Sequence, residues 1–217
     1  LVTIPEGTNV ADADKILVQA GLITEGELLS IALKYEGYLF PDTHRFHQRP
    51  VLSDIVGKML DNFELKTAEL FNDLSDLEIK EAVITASILE KEVRTEEDMR
   101  LVAGIIKKRQ QIGMALQIDA SVSYGVCLKK FLLGEYCDVS LANIVDNIPM
   151  DSAYNTYSRV GLPVGPISNP GLAALNAALN PQASEYLFYL SAGDGTTIFS
   201  KTAEEHTRAR QKYIQKN

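Results

Sequence analysis

The spacing of apolar positions along the chain predicts a protein built mainly of helices. In four long stretches the apolar residues recur every three or four positions, which is the period of one face of an amphipathic helix. These stretches are 9–21, 53–71, 76–93 and 96–112. Ser75 and Glu78 form a capping box at the start of the third stretch, and Gly113 follows the last residue of the fourth. The middle of the chain is therefore predicted to be a succession of separate helices.

Other patterns predict a few strands. Residues 1–7 alternate and end in a Pro/Gly turn, and residues 185–200 carry two alternating runs around an Asp-Gly turn, which is a hairpin signal. Residues 113–125 are expected to be extended at first and then to turn. The predicted fold class is α+β: a helix-rich domain with small antiparallel hairpins, preceded by a short βα unit.

The character of the sequence changes at residues 151–171, which combine three glycines and three prolines with polar and aromatic side chains. A long loop inside a compact domain is usually functional. A purely structural Ω-type loop is the alternative, and the pattern does not decide between the two. Near the end of this loop, Asn169 is predicted to cap a helix that has Pro170 at its first position.

Composition narrows the possible functions. The 21 lysines and arginines against 29 aspartates and glutamates give a net charge of −8, which disfavours nucleic-acid binding because that requires cations to displace counterions from phosphate. No apolar run reaches the roughly 18 residues that a membrane-spanning helix needs. Cys127 and Cys137 fit two free thiols or, in an oxidising compartment, a disulfide. With three scattered histidines and no dinucleotide or phosphate-binding motif, neither a metal nor a cofactor is predicted.

Candidate chemistry lies at the end of the third helix. Its apolar residues surround most of the circumference, which indicates a buried helix, yet it ends in Glu90, Lys91 and Glu92. Burial raises the pKa of a carboxyl, and a general acid that works near neutral pH needs a raised pKa. The alternative is that this last turn reaches solvent and that both glutamates are ordinary surface charges.

Five segments resemble, in the same order, the motifs of the YceG-like family, the MltG-type endolytic murein transglycosylases. They are EGYLFPDT (36–43), ASILEKEV (86–93), GMALQIDASVSYG (113–125), YNTYSRVGLPVGPISNPG (154–171) and YLFYLSAGDGTTIFSKTAEEH (186–206). The resemblance implies a catalytic domain at 36–217. Residues 1–35 are similar to a truncated form of the small LysM-like unit that precedes the catalytic part in this family.

The resemblance implies an enzyme of the bacterial cell wall. Members of the family cleave the β-1,4 bond between N-acetylmuramic acid and N-acetylglucosamine within nascent glycan strands, without water, and form a 1,6-anhydro muramyl end. The implied partners are peptidoglycan glycan strands, with peptidoglycan synthases as a further expectation, and no cofactor is implied. The implied location is the extracytoplasmic face of the cytoplasmic membrane, with a single membrane anchor expected upstream of Leu1.

The resemblance also implies residue roles. The family usually reads Glu-Lys-Glu-Thr at the end of this helix, and its second glutamate lines up with the acid of soluble lytic transglycosylases. We therefore expect Glu92 to be the catalytic residue, with Glu90 as the fallback. The sequence departs from the family pattern at Val93, where threonine is usual, and after Asp119, where Pro-Thr is usual. The residues expected to line the sugar cleft are Gln117, Asp119, Tyr124, Tyr154, Asn155 and Tyr157.

One carboxyl suffices for this chemistry if the C6 hydroxyl of the same muramic acid residue replaces water as the nucleophile. Two other functions stay open at this point. A lysozyme-like peptidoglycan hydrolase would need a second carboxylate, such as Asp119, and a water molecule. A non-catalytic scaffold would instead bind glycan or synthesis enzymes through its aromatic loops.

Overall fold

The computed structural model describes residues 1–47 and 50–213, apart from the side chain of Val145. Its helices are α1 (Val10–Gln19), α2 (Glu27–Ala32), α3 (Leu52–Phe71), α4 (Asp76–Glu92), α5 (Glu96–Gln111), α6 (Asp119–Phe131), α7 (Ile144–Asn147), α8 (Leu172–Leu179) and α9 (Ala203–Tyr213). Its strands are β1 (Val2–Thr3), β2 (Thr43–His44), β3 (Phe188–Ser191) and β4 (Thr197–Ser200). The strands form two antiparallel pairs, β1 with β2 and β3 with β4. The predicted α+β class is confirmed.

Helix α4 forms the centre of the fold because it is apolar on nearly every side. All residues from Ala82 to Leu89 are buried. Helix α8 lies across it, and Ala174 and Ala177 of α8 are fully buried, so their small side chains let the two helices approach closely. The charged residues of α4 thereby lie on either side of this buried stretch. The predicted capping box is present at the start of the helix, and the Glu-Lys-Glu sequence stands at its end.

The hairpin formed by β3 and β4 lies against the last turn of α4. Phe188 pairs with Ser200, and Ser191 pairs with Thr197. The Oγ atom of Ser191 donates a hydrogen bond to the main-chain oxygen of Glu92 at 2.7 Å. Helix α9 packs against both strands. The hairpin predicted from the Asp-Gly turn is therefore confirmed, and it brings the C-terminal part of the chain to the end of α4.

The N-terminal residues pack against later parts of the chain. Strand β1 pairs with β2, with Val2 opposite His44, and Thr8 forms a β-bridge with Asn169. The apolar side chains of α1 and α2 belong to the same core as those of α4 and α6. The division between a LysM-like unit at 1–35 and a catalytic domain at 36–217 stays a prediction.

Asn169 does not cap α8, contrary to the prediction. Its Oδ1 atom accepts hydrogen bonds from the backbone N–H groups of Gly37 (2.9 Å) and Leu39 (3.0 Å). Its Nδ2 atom donates to the carbonyl of Thr8 at 2.9 Å and to the carboxylate of Glu36 at 3.0 Å. All these partners lie more than 120 residues away in sequence, so local pattern could not reveal them. Asn169 therefore joins the end of the long loop to the N-terminal region.

The segment 113–125 is the largest error of the sequence prediction. Only its first part is extended, and α6 begins at Asp119 and continues to Phe131. The β-branched Val122 and Val126 and the intervening Gly125 weaken the helical signal, and burial in the tertiary structure overrides it. A disulfide joins Cys127, near the end of α6, to Cys137 in the following loop, which settles the alternative left open above.

Two smaller points complete the comparison. Helix α3 begins at Leu52 without a side-chain cap, one residue earlier than predicted. Across 1–47 and 50–213, none of the helices has the length and apolar character needed to cross a bilayer.

Candidate active site

A polar cleft lies where α4 ends. Its volume is about 510 Å³, and its walls come from the ends of α4 and α5, the start of α6, strand β3 and helix α9. Glu92, Gln117, Asp119 and Tyr157 of the predicted site line it. Residues from three separate segments of the sequence therefore meet in one cavity, which we call the α4 cleft.

Glu92 occupies the last position of α4. The backbone leaves the helix at Val93, whose φ and ψ of −144° and 160° are extended. Burial raises the pKa of the Glu92 carboxyl to about 7, and the negative charge of Asp119 acts in the same direction. The C-terminal end of a helix also disfavours a negative charge. The carboxyl is therefore partly protonated at neutral pH, as a general acid must be, and the ordinary surface charge considered above does not describe it.

Tyr189 of β3 is a polar neighbour of the Glu92 carboxyl. Its hydroxyl interacts with the carboxylate and partly offsets the rise in the pKa of Glu92. The pKa of Tyr189 itself is raised well above its ordinary value by burial and by the charge of Glu92, so the phenol stays a hydrogen-bond donor. Val93, at the position where the resembled family has threonine, is buried in the core. The hydroxyl next to Glu92 thus comes from the hairpin.

Gln117, Asp119 and Tyr157 form the opposite part of the cleft. The extended segment before α6 pairs with the long loop, since the backbone N–H of Gln117 donates to the carbonyl of Thr156 at 3.0 Å. Gln117 has a φ of 51°, a left-handed conformation that costs a non-glycine residue about 1 kcal/mol or more. The Tyr157 hydroxyl donates to the Asp119 carboxylate at 2.5 Å. These contacts hold three polar side chains towards the cavity.

The structure does not bring Tyr124, Tyr154 and Asn155 to the α4 cleft. Tyr124 is 1% exposed, and its hydroxyl donates to Glu36 in the interior. Tyr154 packs against Tyr124, with ring centroids 5.0 Å apart. The Nδ2 atom of Asn155 donates to two carbonyls of its own loop, and its Oδ1 atom accepts from the backbone of Tyr157. These residues brace the loop that carries Tyr157.

Glu90 points away from the α4 cleft. Its carboxylate accepts a hydrogen bond from the backbone N–H of Gly171 at 2.9 Å, at the start of α8. Burial raises its pKa too, although the Gly171 hydrogen bond opposes the rise. Glu90 shares a smaller cavity of about 220 Å³ with Glu92, but its carboxylate has a structural partner. Of the two glutamates, Glu92 alone faces the larger cavity.

Sequence reasoning missed four residues that line the α4 cleft: Arg109, Tyr189, His206 and Arg210. One signal for Arg109 was present. It follows Ile105 and Ile106 by four and three positions, so it lies on the buried stripe of α5, where a cation is unexpected. The other three depend on how the hairpin and α9 fold back on α4, and no local pattern indicates that.

The part of the chain that the structure describes holds no cluster of histidine, cysteine, aspartate or glutamate that fits a metal ion. The site is thus a cleft of carboxyl, phenol, amide and guanidinium groups. It can exchange protons through Glu92 and hydrogen-bond to a polar ligand.

The fold and the cleft define a helix-rich α+β protein with a buried carboxyl at the end of its central helix. A solved structure of a putative YceG-like protein from Listeria monocytogenes has the same fold, with a TM-score of 0.81 and 29% sequence identity over 96% of this chain and 75% of that one. The model of the YceG-like family matches residues 1–212, and the chain belongs to this family.

Curated relatives carry a more specific name. A Bacillus subtilis protein named endolytic murein transglycosylase is 33% identical over 182 residues, which is 82% of this chain and 48% of that protein. A Streptococcus pneumoniae protein of the same name is 28% identical over 81% of this chain and 31% of that protein. The chain thus spans about half the length of the first relative and about a third of the second.

Proposed function

We propose that this chain is an endolytic lytic transglycosylase of peptidoglycan. The observation that carries the proposal is Glu92, a carboxyl with a pKa of about 7 at the wall of a polar cleft of about 510 Å³. The names of the relatives support the same activity. The substrate is the bond between N-acetylmuramic acid and N-acetylglucosamine within a glycan strand, and cleavage would terminate elongation of that strand.

One carboxyl performs both proton transfers in this mechanism. Protonated Glu92 donates its proton to the glycosidic oxygen as the bond to C1 of muramic acid breaks. The resulting carboxylate accepts the proton of the C6 hydroxyl of the same sugar, and that oxygen closes on C1 to form the 1,6-anhydro ring. Because the nucleophile belongs to the substrate, its effective concentration is high and no water is needed. Tyr189 donates to the carboxylate form of Glu92 between the two steps.

The proposal includes a place for the protein. The relatives act on murein by name, and so we propose a role at the extracytoplasmic face of the cytoplasmic membrane, with an anchor upstream of Leu1. Peptidoglycan synthases are the proposed protein partners there.

A lysozyme-like hydrolase is the second candidate, because Asp119 lines the same cleft as Glu92. In such an enzyme Asp119 would activate water or stabilise the positive charge at C1. Mass spectrometry of the cleaved glycan separates the two reactions. We expect 1,6-anhydro muramyl ends, and reducing muramyl ends would establish the hydrolase instead.

The decisive experiment compares two variants of neighbouring glutamates. We expect Glu92→Gln to lower glycan cleavage by roughly 10²–10⁴-fold, the usual contribution of a general acid. Glu90→Gln is the matched control, because its amide oxygen can still accept the Gly171 hydrogen bond, and we expect it to keep activity. Equal cleavage by Glu92→Gln and the parent protein would exclude Glu92 as the acid, and loss of activity only in Glu90→Gln would move the acid to Glu90. Absence of cleavage by the parent protein would support the non-catalytic scaffold.

A further inference from the structure

We propose that Arg109, His206 and Arg210 form a basic wall of the α4 cleft that binds a carboxylate on the side arm of muramic acid. This inference rests on the proposed function and specifies the substrate further. Three observations carry it. Arg109 has no acidic partner among the described residues, a ring nitrogen of His206 has no hydrogen-bond partner there, and Arg210 lies on the same face of α9 as His206.

Arg109 is a buried cation that lacks an acidic partner among the described residues. It is 6% exposed. Its Nε atom donates to the carbonyl of Leu187 at 2.7 Å, and its Nη1 atom donates to the carbonyl of Leu116, also at 2.7 Å. Within the described ranges its Nη2 atom donates to no protein acceptor, and none of the ion pairs involves it. A desolvated guanidinium is costly unless it is paired, and here the open side is the cleft.

His206 contributes a polar atom that has no partner. Its Nδ1 atom is buried and makes no hydrogen bond to the described protein. Its ring stacks on Phe188 at a centroid distance of 5.3 Å, and the Arg109 guanidinium lies 5.0 Å from the centroid of the same phenylalanine ring. Phe188 thus holds the two side chains in one place. Buried polar atoms are nearly always satisfied, so this nitrogen is a hydrogen-bonding group of a cleft-lining histidine that the described protein leaves unused.

Arg210 completes the wall from the same helix as His206. It lies four residues later and therefore on the same face of α9, and it also lines the cleft. Burial and then the positive charge of Arg210 lower the pKa of His206, and the same charge acts on Tyr157. Glu92, Asp119 and the two arginines therefore line one cleft, which presents both acidic and basic groups.

The charges of the cleft match an anionic sugar. The fork of a guanidinium fits a planar carboxylate, which can accept two parallel hydrogen bonds. A chain with a net charge of −8 repels anions unless it presents cations locally. N-Acetylglucosamine is neutral, whereas the lactyl arm of muramic acid ends in a carboxyl. That carboxyl is free in a bare glycan; in a peptide-bearing glycan it is an amide, and the peptide supplies carboxylates instead.

The experiment compares KM and kcat on three glycans: one freed of its peptides, one that retains them, and one whose carboxylates have all been converted to amides. The variant is Arg210→Gln, and Arg208→Gln on the same helix is the matched control, since Arg208 does not line the cleft. We expect the protein to have a KM about fivefold lower for a carboxylate-bearing glycan than for the amidated one, the range expected for a partly exposed ion pair. Arg210→Gln is expected to abolish this preference, and Arg208→Gln to keep it.

The two sources of carboxylate separate in the same data. A preference for the peptide-free glycan assigns the wall to the lactyl carboxylate, and a preference confined to the peptide-bearing glycan assigns it to the peptide. Equal KM values of the parent protein for native and amidated glycans would overturn the inference. So would a preference that Arg208→Gln and Arg210→Gln reduce equally.

A binding measurement keeps the inference separate from the proposed function. Titration of Glu92→Gln with N-acetylmuramic acid and with its amide by calorimetry needs no cleavage. We expect the acid to bind several-fold more tightly than the amide. Equal affinity, together with no preference for the peptide-bearing glycan, would refute the basic wall. Absence of glycan cleavage by the parent protein would refute the proposed function alone.

Discussion

Two buried carboxyls of this protein have similar pKa values and different surroundings. Burial raises the pKa of Glu36 to about 8 and that of Glu92 to about 7. The carboxylate of Glu36 accepts hydrogen bonds from the backbone of Val10, from the Tyr124 hydroxyl and from Asn169, all inside the core. Glu92 faces a cavity that could hold a ligand.

The comparison shows that a raised pKa does not by itself identify a catalytic group. Such shifts mark functional sites only together with access to a ligand. The Glu36 carboxylate is occupied by hydrogen bonds from protein groups. Through them it connects the first turn of α1 to the long loop. The Glu92 carboxyl has the Tyr189 hydroxyl as a polar neighbour, and it lines the cleft. The first is a structural acid and the second is a candidate catalyst.

The largest expected effect concerns the network around Glu36. Asn169→Ala removes four hydrogen bonds and leaves buried partners such as the Gly37 N–H and the Glu36 carboxyl without them. We expect the free energy of unfolding to fall by roughly 3–5 kcal/mol. Urea denaturation measures it. Asn180→Ala, an exposed asparagine after α8, is the control and is expected to change stability by less than about 0.5 kcal/mol. Similar losses in both variants would contradict the central role of Asn169.

The next prediction separates the two carboxyls by the pH dependence of stability. In the folded protein Glu36 stays protonated up to about pH 8, whereas in the unfolded chain it ionises near 4.5. The unfolded state therefore binds fewer protons in this window, and stability falls as the pH rises through it. We expect Glu36→Gln to reduce the loss of unfolding free energy with rising pH up to about pH 8. Glu92→Gln is expected to reduce that loss up to about pH 7. Denaturation at pH 5, 7 and 9 tests this, and an unchanged slope in Glu36→Gln would show that burial of that carboxyl does not shift its pKa.

Activity should respond to pH through Glu92 and not through Glu36. The acid form of Glu92 donates the first proton, so we expect kcat to fall as the pH rises above about 7. Tyr189→Phe removes the hydroxyl that stabilises the carboxylate, and we expect the fall to move to higher pH with less than about a tenfold change in the maximal rate. Glu36→Gln serves as the control and should leave the profile in place. A profile that Tyr189→Phe does not move would argue against the contact between Tyr189 and Glu92.

The smallest expected effect lies on the opposite wall of the cleft. Gln117→Gly relieves the left-handed backbone, whereas Gln117→Ala removes the same side-chain amide and keeps the strain. We expect the glycine variant to be more stable than the alanine variant by about 0.5–1 kcal/mol, as measured by thermal unfolding. Both are expected to raise KM equally, since both lose the amide in the cavity. An alanine variant as stable as the glycine variant would show that residue 117 is not strained.

The sequence was most informative where structure is local. The capping box of α4, its apolar circumference and its terminal glutamates were all predicted, as was the hairpin. These features depend on residues three or four positions apart, so the chain alone specifies them. The family resemblance also ranked Glu92 above Glu90, which the position of Glu92 in the cleft supports.

The tertiary structure decided which polar side chains meet. Periodicity shows that a helix face is buried but not what lies across from it. The local pattern before Pro170 made Asn169 a predicted cap, and the family resemblance made Tyr124 an expected cleft residue, whereas the fold places both in the interior. Glu90 and Glu92 are two residues apart, and only the packing of α8 and β3 gives one a backbone partner and the other a cavity. Arg109 and Tyr189 are 80 positions apart in sequence. They line the same cleft as the Glu92 carboxyl only because the hairpin folds onto α4 and α5. The chain by itself determined that an acid stands at the end of a buried helix, and the fold determined what that acid faces.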